Sequence, residues 1–191
     1  AGSGGSGPQG PKGDTGSIGP KGDPGAAGGV GFAPQWGYFW DQSDIQQTSN
    51  DTPLPISCSE KSASNVGVTL ETNGSTLSKI KVAIAGTYNI QFSSQLHNDF
   101  NGAVTISIWL KKNGIDIPWS NTEFEIPKKD ASGKRVASWN FFVPMNTTDY
   151  VELYWKVEAT SYTGGVYIDS TPAGTNVPAI PGTILTVNQV G

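Results

Sequence analysis

The sequence predicts an all-β protein, an antiparallel sandwich or jelly-roll head of about eight to ten strands preceded by a short collagen triple helix. Two observations lead to this prediction. Glycine falls at every third position from Gly4 to Gly31, and beyond it short segments of alternating apolar and polar residues take over. The composition changes at the same place, because 13 of the 25 glycines lie in residues 1–31 of this 191-residue chain.

The glycine repeat predicts a trimer. Three chains wound into a triple helix crowd their common axis, and only glycine fits there. Residues 1–6 read as an engineered linker, so we assign residues 7–31 to the collagen-like stalk and residues 32–191 to the head. The glycines predicted to line the axis are Gly7, Gly10, Gly13, Gly16, Gly19, Gly22, Gly25 and Gly28.

The stalk carries two copies of the sequence Pro-Lys-Gly-Asp. In staggered chains they predict interchain ion pairs between Lys12 and Asp14 and between Lys21 and Asp23, each worth at most about 1 kcal/mol. These pairs set the register of the chains but do not hold them together. A stalk of about eight triplets with few prolines is marginal alone, so we expect the head to build the trimer.

The head opens on its most aromatic stretch, residues 36–40, and a polar loop over residues 42–55 follows. Alternation with the period of a β-strand then recurs to the end of the chain. In residues 88–92, Tyr88, Ile90 and Phe92 share one face and amide side chains take the other. The same alternation marks residues 66–70, 77–82, 104–110, 136–143, 150–157 and 184–190.

Turn signals separate these segments, and no window of ten or more residues places its apolar side chains at helical spacing. Asn-Gly pairs are strong hairpin signals because both residues tolerate a positive φ. The turn signals are Asn73–Gly74, Ala85–Gly86, Asn101–Gly102, Asn113–Gly114, Ser132–Gly133 and Gly164–Gly165.

Three motifs in the head resemble the complement component 1q and tumour necrosis factor superfamily. Residues 85–92, AGTYNIQF, resemble its Gly-x-Tyr-x-Phe strand, and residues 106–114, ISIWLKKNG, resemble its strand ending in Lys-Asn-Gly. Residues 148–153 stand where the family has Gly-Asp-x-Val-x-Leu, with Thr148 in place of the glycine. The resemblance implies a homotrimeric jelly-roll head at the end of the stalk.

The end of the chain departs from that family. Residues 178–187, PAIPGTILTV, replace its aromatic-rich closing strand, and with residues 111–120 and 151–155 they look more like head domains of tailed-phage structural proteins of marine and cyanobacterial type. This resemblance implies a non-enzymatic viral fibre or spike at the virion surface. Its head would bind a host-cell glycan or protein receptor, and its base would contact other virion components.

Two alternatives stay open at this point. One is a secreted animal pattern-recognition protein related to complement component 1q; the missing cysteines, the phage-like ending and the absence of a signal peptide count against it. The other is a polysaccharide-degrading enzyme. We expect neither nucleic acid nor membrane insertion, because the net charge is −4, no basic stripe occurs and no apolar run reaches about 20 residues.

Large aromatic residues are predicted to be divided between the core and a three-fold interface, because such side chains dominate obligate interfaces. The division depends on strand register, which the sequence leaves open. The predicted core or interface residues are Trp36, Tyr38, Trp40, Tyr88, Phe92, Trp139 and Phe141.

No constellation of residues predicts catalysis or a cofactor. His97 is the one histidine, and no nucleophile-elbow sequence surrounds Ser93 and Ser94 beside it. Glu123 and Glu125 share a strand face, but the charges that follow them indicate a solvated edge rather than a glycosidase pair. Cys58 is predicted to be a partly buried apolar residue, with an interchain contact as the alternative.

Calcium is the one cofactor that stays open. Its candidate oxygens are Asp41, Asp44 and Asp51 in the first loop and Asn98, Asp99 and Asn101 in another, but neither cluster matches a spaced calcium loop. Ligand contacts are expected from polar and aromatic loop residues at the free end of the head. The candidate ligand residues are Asn98, Asn101, Tyr162, Thr163 and Tyr167.

Overall fold

The structure is a computed structural model that describes residues 1–14, 16, 33–131 and 133–191. The chain divides into two compact units, Ala1–Phe32 and Ala33–Gly191. The described part of the first unit is exposed and has no regular secondary structure. Four of the predicted axis glycines lie in it, and no atom comes within 4 Å of a Cβ built on any of them: Gly7, Gly10, Gly13 and Gly16.

The remaining stalk predictions lie outside the described residues: Gly19, Gly22, Gly25, Gly28, Lys21 and Asp23. Lys12 and Asp14 are described and exposed. Their predicted contacts are with other chains, so the triple helix and its ion pairs stay predictions.

The second unit is all-β, as predicted, and every strand pairing is antiparallel. Among the described residues the only helical segment is a 3-10 turn at Lys129–Ala131. The strands are β1 (Trp36–Asp41), β2 (Ile45–Gln47), β3 (Leu54–Pro55), β4 (Glu60–Lys61), β5 (Val68–Asn73), β6 (Thr76–Val82), β7 (Gly86–Asn98), β8 (Val104–Lys112), β9 (Ile115–Asp116), β10 (Thr122–Ile126), β11 (Lys134–Met145), β12 (Val151–Glu158), β13 (Val166–Ile168) and β14 (Thr183–Gln189).

The strand count exceeds the predicted eight to ten because five strands have only two or three residues: β2, β3, β4, β9 and β13. Two of them, β2 and β3, lie inside the stretch predicted to be a polar loop. They form because a neighbouring strand offers backbone partners, as when Val166 of β13 pairs with Gln47 of β2. Alternation within so short a segment is too brief to read from sequence.

The strands form two seven-stranded sheets. In sheet A the long strand β7 is central: β11 runs along one side of it, β14 and then β13 run along the other, and β1 and β4 follow β14. The last strand, β14, thus lies between β1 and β7. Sheet B has the order β10-β8-β12-β6-β5, with β3 beside β12 and β9 beside β8.

The core lies between the two sheets and is built by the alternation seen in the sequence. Tyr88, Ile90 and Phe92 of β7 are at most 1% exposed, so their predicted common face is confirmed. Opposite them lie the inward side chains of sheet B. The largest fully buried side chains there are Trp155, Ile80, Ile106, Ile108, Leu110 and Ile126.

Cys58 belongs to this core, with 2% of its surface exposed. Burial raises the pKa of its thiol, and the nearby Asp41 carboxylate raises it further. A thiol held neutral inside the protein packs as a small apolar residue, which agrees with the first of the two interpretations of this cysteine.

Backbone angles confirm two of the predicted turns. Asn113 and Gly114, between β8 and β9, have φ values of 53° and 82°, the left-handed pair that a type I′ hairpin requires. Gly74, between β5 and β6, has a φ of 61°. Both hairpins lie in sheet B and fix the register of its neighbouring strands.

The turn before β12 is closed by the carboxylate of Asp149. Its Oδ2 atom accepts a hydrogen bond from the backbone N–H of Asn146 at 2.8 Å and lies 2.9 Å from Nζ of Lys112, while Oδ1 accepts one from Asn113 at 2.7 Å. The Lys112 contact is the largest of the effects that lower the pKa of Asp149. Two of these contacts, with Lys112 and Asn113, tie the β8–β9 hairpin to the start of β12, and the third closes the turn in which Thr148 replaces the glycine of the resembled motif.

Because the carboxyl pKa of Asp149 is lowered in the folded protein, the contribution of Asp149 to folding stability depends on pH. Its stabilising effect is present above the ordinary aspartate pKa of about 4 and is lost as pH falls through the lower folded value. We expect Asp149→Asn to lower the melting temperature most at neutral pH, with the difference from wild type shrinking between about pH 4 and pH 2. Thermal unfolding followed by circular dichroism at several pH values tests this, and a difference independent of pH would contradict it.

Candidate functional site

The outward faces of the two sheets differ in charge. On sheet A, the outward positions of residues 36–40, 87–95, 136–144 and 184–188 carry no charged side chain, and charge appears only beyond them, at Glu60 opposite Trp40 and at Lys134 opposite His97. The register places aromatic and aliphatic groups at the two sides of this surface and amides and hydroxyls between them. We call it the A face; its outward residues are Trp36, Tyr38, Trp40, Thr87, Asn89, Gln91, Ser93, Gln95, Val136, Ser138, Asn140, Phe142, Pro144, Ile184, Thr186 and Asn188.

The outward face of sheet B is dense in charge. Its strands carry lysines and glutamates at alternate positions, and pairs such as Lys81 with Glu71, 3.8 Å apart, lie across neighbouring strands. The charged residues on that side include Glu71, Lys79, Lys81, Lys111, Glu123, Glu125, Lys156 and Glu158. Because interface cores are depleted of charge, this contrast marks the A face as the candidate subunit interface and the sheet B face as the side toward solvent.

Aromatic side chains concentrate on the β1 side of the A face. The rings of Tyr38 and Trp40 lie 5.2 Å apart between centroids in a tilted arrangement. Beside them a groove of about 470 Å³ continues to Ile180 and Pro181, in the segment before β14. Both rings are only partly buried within the single chain, so a neighbouring subunit can still cover them.

The other side of the A face ends at β11, which pairs with β7 alone and leaves its outer backbone edge unpaired within the described head. Val136, Trp139 and Phe142 on this strand are 59%, 52% and 64% exposed. A cavity of about 390 Å³ separates β11 from β10, so the sandwich is open along this edge. A long apolar edge strand promotes unwanted pairing unless something covers it.

The predicted core or interface aromatics occupy three environments. Tyr88 and Phe92 lie in the core, and Phe141 packs against it while partly exposed. Trp36, Tyr38 and Trp40 are half-buried on the A face. Trp139 points to the same side of sheet A as Phe92, yet it stays half exposed because it lines the cavity between β11 and β10. Assignment of any of them to a subunit contact stays a prediction.

Sequence reasoning missed Phe142, Val136 and Ile184 as members of the A face. The signal was present, because they sit at outward positions of segments predicted as strands. Which side of each strand faces outward became clear only from the pairing register, Phe142 with Asn89 and Ile184 with Ser93.

The five candidate ligand residues divide into internal and surface positions. Asn98 is fully buried, and its amide donates hydrogen bonds to the carbonyls of Gly102 and Pro127. The Tyr162 hydroxyl donates to the Gln47 carbonyl at 2.6 Å and accepts from the N–H of Val166. Both side chains therefore stabilise loops from within the protein. Asn101 and Thr163 are exposed, and Tyr167 is half-buried beside Gln46.

His97 lies on β7 between two carboxylates, with Nε2 3.1 Å from Asp99 and Nδ1 3.3 Å from Asp169. Lys134 approaches Asp169 at 3.6 Å, so the end of the A face is a small polar cluster. Ser94, which follows Ser93 on β7, points into the protein and shares a hydrogen bond with Thr183 at 2.9 Å. That side chain is therefore not available to His97 as a nucleophile.

The candidate calcium carboxylates do not converge. Asp41 is fully buried and accepts hydrogen bonds from Ser43 and Ser57, while Asp44 binds Ser170 and Asp51 binds Lys156. Within the described residues no group of three or more acidic, histidine or cysteine side chains is placed to hold a metal ion. In the same part of the chain, no helix is long and apolar enough to cross a membrane.

Comparison with known proteins gives likenesses of fold alone. No family model matches the chain, and no curated protein matches it in sequence. Among solved structures, Eiger TNF from S. frugiperda superposes with a TM-score of 0.51 at 6% identity, covering 83% of this chain and 93% of that one. The globular domain of the zebrafish complement 1qA protein gives a TM-score of 0.45 at 10% identity, covering 82% and 97% of the two chains. Together with the two antiparallel sheets described above, the first likeness supports a jelly-roll fold for residues 33–191.

Proposed function

We propose that this protein is a non-enzymatic recognition protein, a homotrimer whose heads sit on a collagen-like stalk. The observation that carries the proposal is the charge-free A face with its aromatic side and its open β11 edge. A single subunit leaves both the A face and the β11 edge exposed, whereas a collagen-like repeat forms a helix of three chains.

A face-to-edge contact accounts for both surfaces together. The aromatic side of one A face and the β11 edge of the next subunit are different patches, so their contact is heterologous, and heterologous contacts form closed rings when the rotation permits. Three such contacts cover three faces and three edges. This arrangement buries Trp36, Tyr38, Trp40 and Phe142 and leaves the charged sheet B faces toward solvent.

The specific role we propose is a fibre or spike at the surface of a phage virion, whose heads adhere to a receptor or glycan on the host cell. The resemblance of residues 111–120, 151–155 and 178–187 to phage head domains supports this role. A secreted recognition protein of the same architecture is the alternative. Labelling purified phage particles with an antibody raised against the head separates them, because only a virion component is bound at the particle surface.

Sedimentation equilibrium of the full chain is expected to give a mass about three times the 20.1 kDa of one chain. Gly16→Arg is expected to abolish the collagen signal in circular dichroism, because an arginine side chain does not fit at the axis, while the heads remain trimeric. A wild-type monomer would contradict the proposal. Loss of the trimer in Gly16→Arg would instead show that the stalk drives assembly.

A further inference from the structure

A groove on the outward face of sheet B has the features of a small-ligand site. It measures about 240 Å³. Its floor is formed by Ser107 and Trp109 of β8, and its walls by Asp116, Trp119, Asn121 and Lys156. We call it the outer groove. It lies on the sheet opposite the A face, so it stays exposed in the proposed trimer.

Trp119 occupies a backbone position that suits glycine. The N–H of Ser120 donates to the carbonyl of Ile117 at 3.3 Å, Pro118 takes the second position of this turn, and Trp119 the third with a φ of 65°. A type II turn has this arrangement and normally places glycine or asparagine at its third position. The indole is fully exposed, with a relative exposure of 102%, so packing does not explain it. Backbone strain that supports an exposed aromatic ring points to a functional side chain.

The turn is fixed firmly to the sheet beneath it. The Ser120 hydroxyl donates to the Ile117 carbonyl at 2.8 Å and accepts from the backbone N–H of Leu110 at 3.0 Å. Trp119 is therefore presented by a rigid turn. Less conformational entropy of the protein is then lost when a ligand binds, because the site is already ordered.

The second indole of the groove is also held in place. Nε1 of Trp109 donates to Oδ1 of Asp116 at 2.6 Å, and Nζ of Lys111 lies 3.3 Å from the same oxygen. The hydrogen bond from Trp109 is the largest effect lowering the pKa of Asp116, so this carboxylate is an acceptor at neutral pH. Within the described residues Oδ2 of Asp116 has no hydrogen-bond donor, which leaves it available to a ligand.

Two further polar groups line the groove without a hydrogen bond among the residues that the structure describes. Ser107 has only 4% of its surface exposed, yet its hydroxyl lines the floor. Asn121 is exposed on the wall and brings an amide with two donors and an acceptor. The Ser107 hydroxyl has no protein partner within the described part of the chain, so it can bond a hydroxylated ligand that enters the groove.

Charge around the outer groove selects against anionic ligands. Lys156 is already engaged by Asp51, at 2.6 Å, and by Glu158. Glu123 pairs across the sheet with Ser107, and Asp116 stands in the wall itself. The surrounding carboxylates therefore outnumber the lysines, and a second negative charge placed among them would be repelled.

We propose that the outer groove binds a pyranose ring of a neutral saccharide, stacked on the exposed indole of Trp119, with its hydroxyl groups hydrogen-bonded to Asp116, Asn121 and Ser107. A pyranose has an apolar face of C–H groups, which the electron-rich face of an indole attracts, and a rim of hydroxyls that match one carboxylate and one amide. The inference rests on the proposed function, since it names the ligand class of that recognition head. Three weak sites on one trimer gain affinity through avidity.

A glycan array tests the inference, printed with neutral oligosaccharides of glucose, galactose and N-acetylglucosamine and with alginate and sialyllactose as acidic counterparts. The wild-type trimer is expected to bind at least one neutral glycan and to bind it more strongly than the acidic ones. Trp119→Gly is expected to weaken that binding at least tenfold. Because glycine suits this turn position, the variant should melt at or above the wild-type temperature, so lost binding would not reflect unfolding.

Ile115→Ala is the matched control. Ile115 is 74% exposed on the same hairpin and lies outside the groove, so its loss is expected to leave glycan binding unchanged. The inference is overturned if the wild-type trimer binds no neutral glycan, prefers the acidic ones, or binds as well after Trp119→Gly. Sedimentation of the same samples separates the two proposals: a trimer that binds no glycan overturns this inference alone, whereas a monomer overturns the proposed function.

Discussion

Thr186→Arg is expected to convert the proposed trimer into monomers while the head stays folded. Thr186 lies on β14 at the centre of the A face, paired with Gln91 on one side and Tyr38 on the other. The side chain points outward, so arginine does not enter the core of the subunit. In the proposed contact, however, its charge would be buried among uncharged groups, at a cost of about 3–5 kcal/mol for each uncompensated charge. Sedimentation equilibrium should give the mass of one chain.

The same substitution on the other sheet is the control for this prediction. Thr105 lies at an outward position of β8 in sheet B, between Glu125 of β10 and Glu158 of β12. Thr105→Arg adds the same charge beside two carboxylates on the solvent side, so the trimer is expected to persist. Retention of the trimer by Thr186→Arg, with a native circular dichroism spectrum, would place the subunit contact on another surface.

Trp155→Ala is expected to destabilise the head by about 3–5 kcal/mol, the range measured when a large buried side chain is truncated to alanine. Trp155 on β12 is fully buried and is the largest side chain of the core. Its removal leaves a cavity between the sheets that the packed neighbours fill only in part. For a trimer, the loss is read from denaturant unfolding at several protein concentrations, because dissociation adds to the apparent stability.

Trp119→Ala provides the matched comparison, since it removes the same side chain from a fully exposed position. Its effect on stability is expected to stay within about 0.5 kcal/mol. Equal losses for the two variants would show that burial, as described for Trp155, does not set the stability of this head.

The parts of the fold that were predictable are those set by local pattern. Tyr88, Ile90 and Phe92 share the core face of β7, and the positive φ of Asn113 and Gly114 follows from their sequence. The pattern of each segment decides these features without knowledge of its neighbours.

The features that were missed depend on partners distant in sequence. Asn98 and Tyr162 have the composition of surface loops, yet their polar groups are satisfied by backbone carbonyls brought in from other segments. The strand at Ile45–Gln47 exists because β13 lies beside it. Likewise, Trp139 is exposed although it faces inward, because β11 is an edge strand, and alternation within one segment carries no information about which strand lacks a neighbour.

The outer groove was only partly predictable from the local sequence. The turn at Pro118-Trp119 contains neither glycine nor asparagine, the residues that usually mark such turns. A proline followed by an aromatic residue at the third position of the turn was the usable signal, because it marks a conformation that the aromatic residue does not favour.

The position of β14 between β1 and β7 sets an order of events during synthesis on the ribosome. Neither β1 nor β7 pairs with the other, and both pair with the last strand, so sheet A is completed only after residues 183–189 have been made. Contacts between such distant parts of a chain form slowly. If the chain forms the proposed trimer, its stalk, although translated first, would wind only after three heads are complete, from the head toward the amino terminus and opposite to the direction of translation.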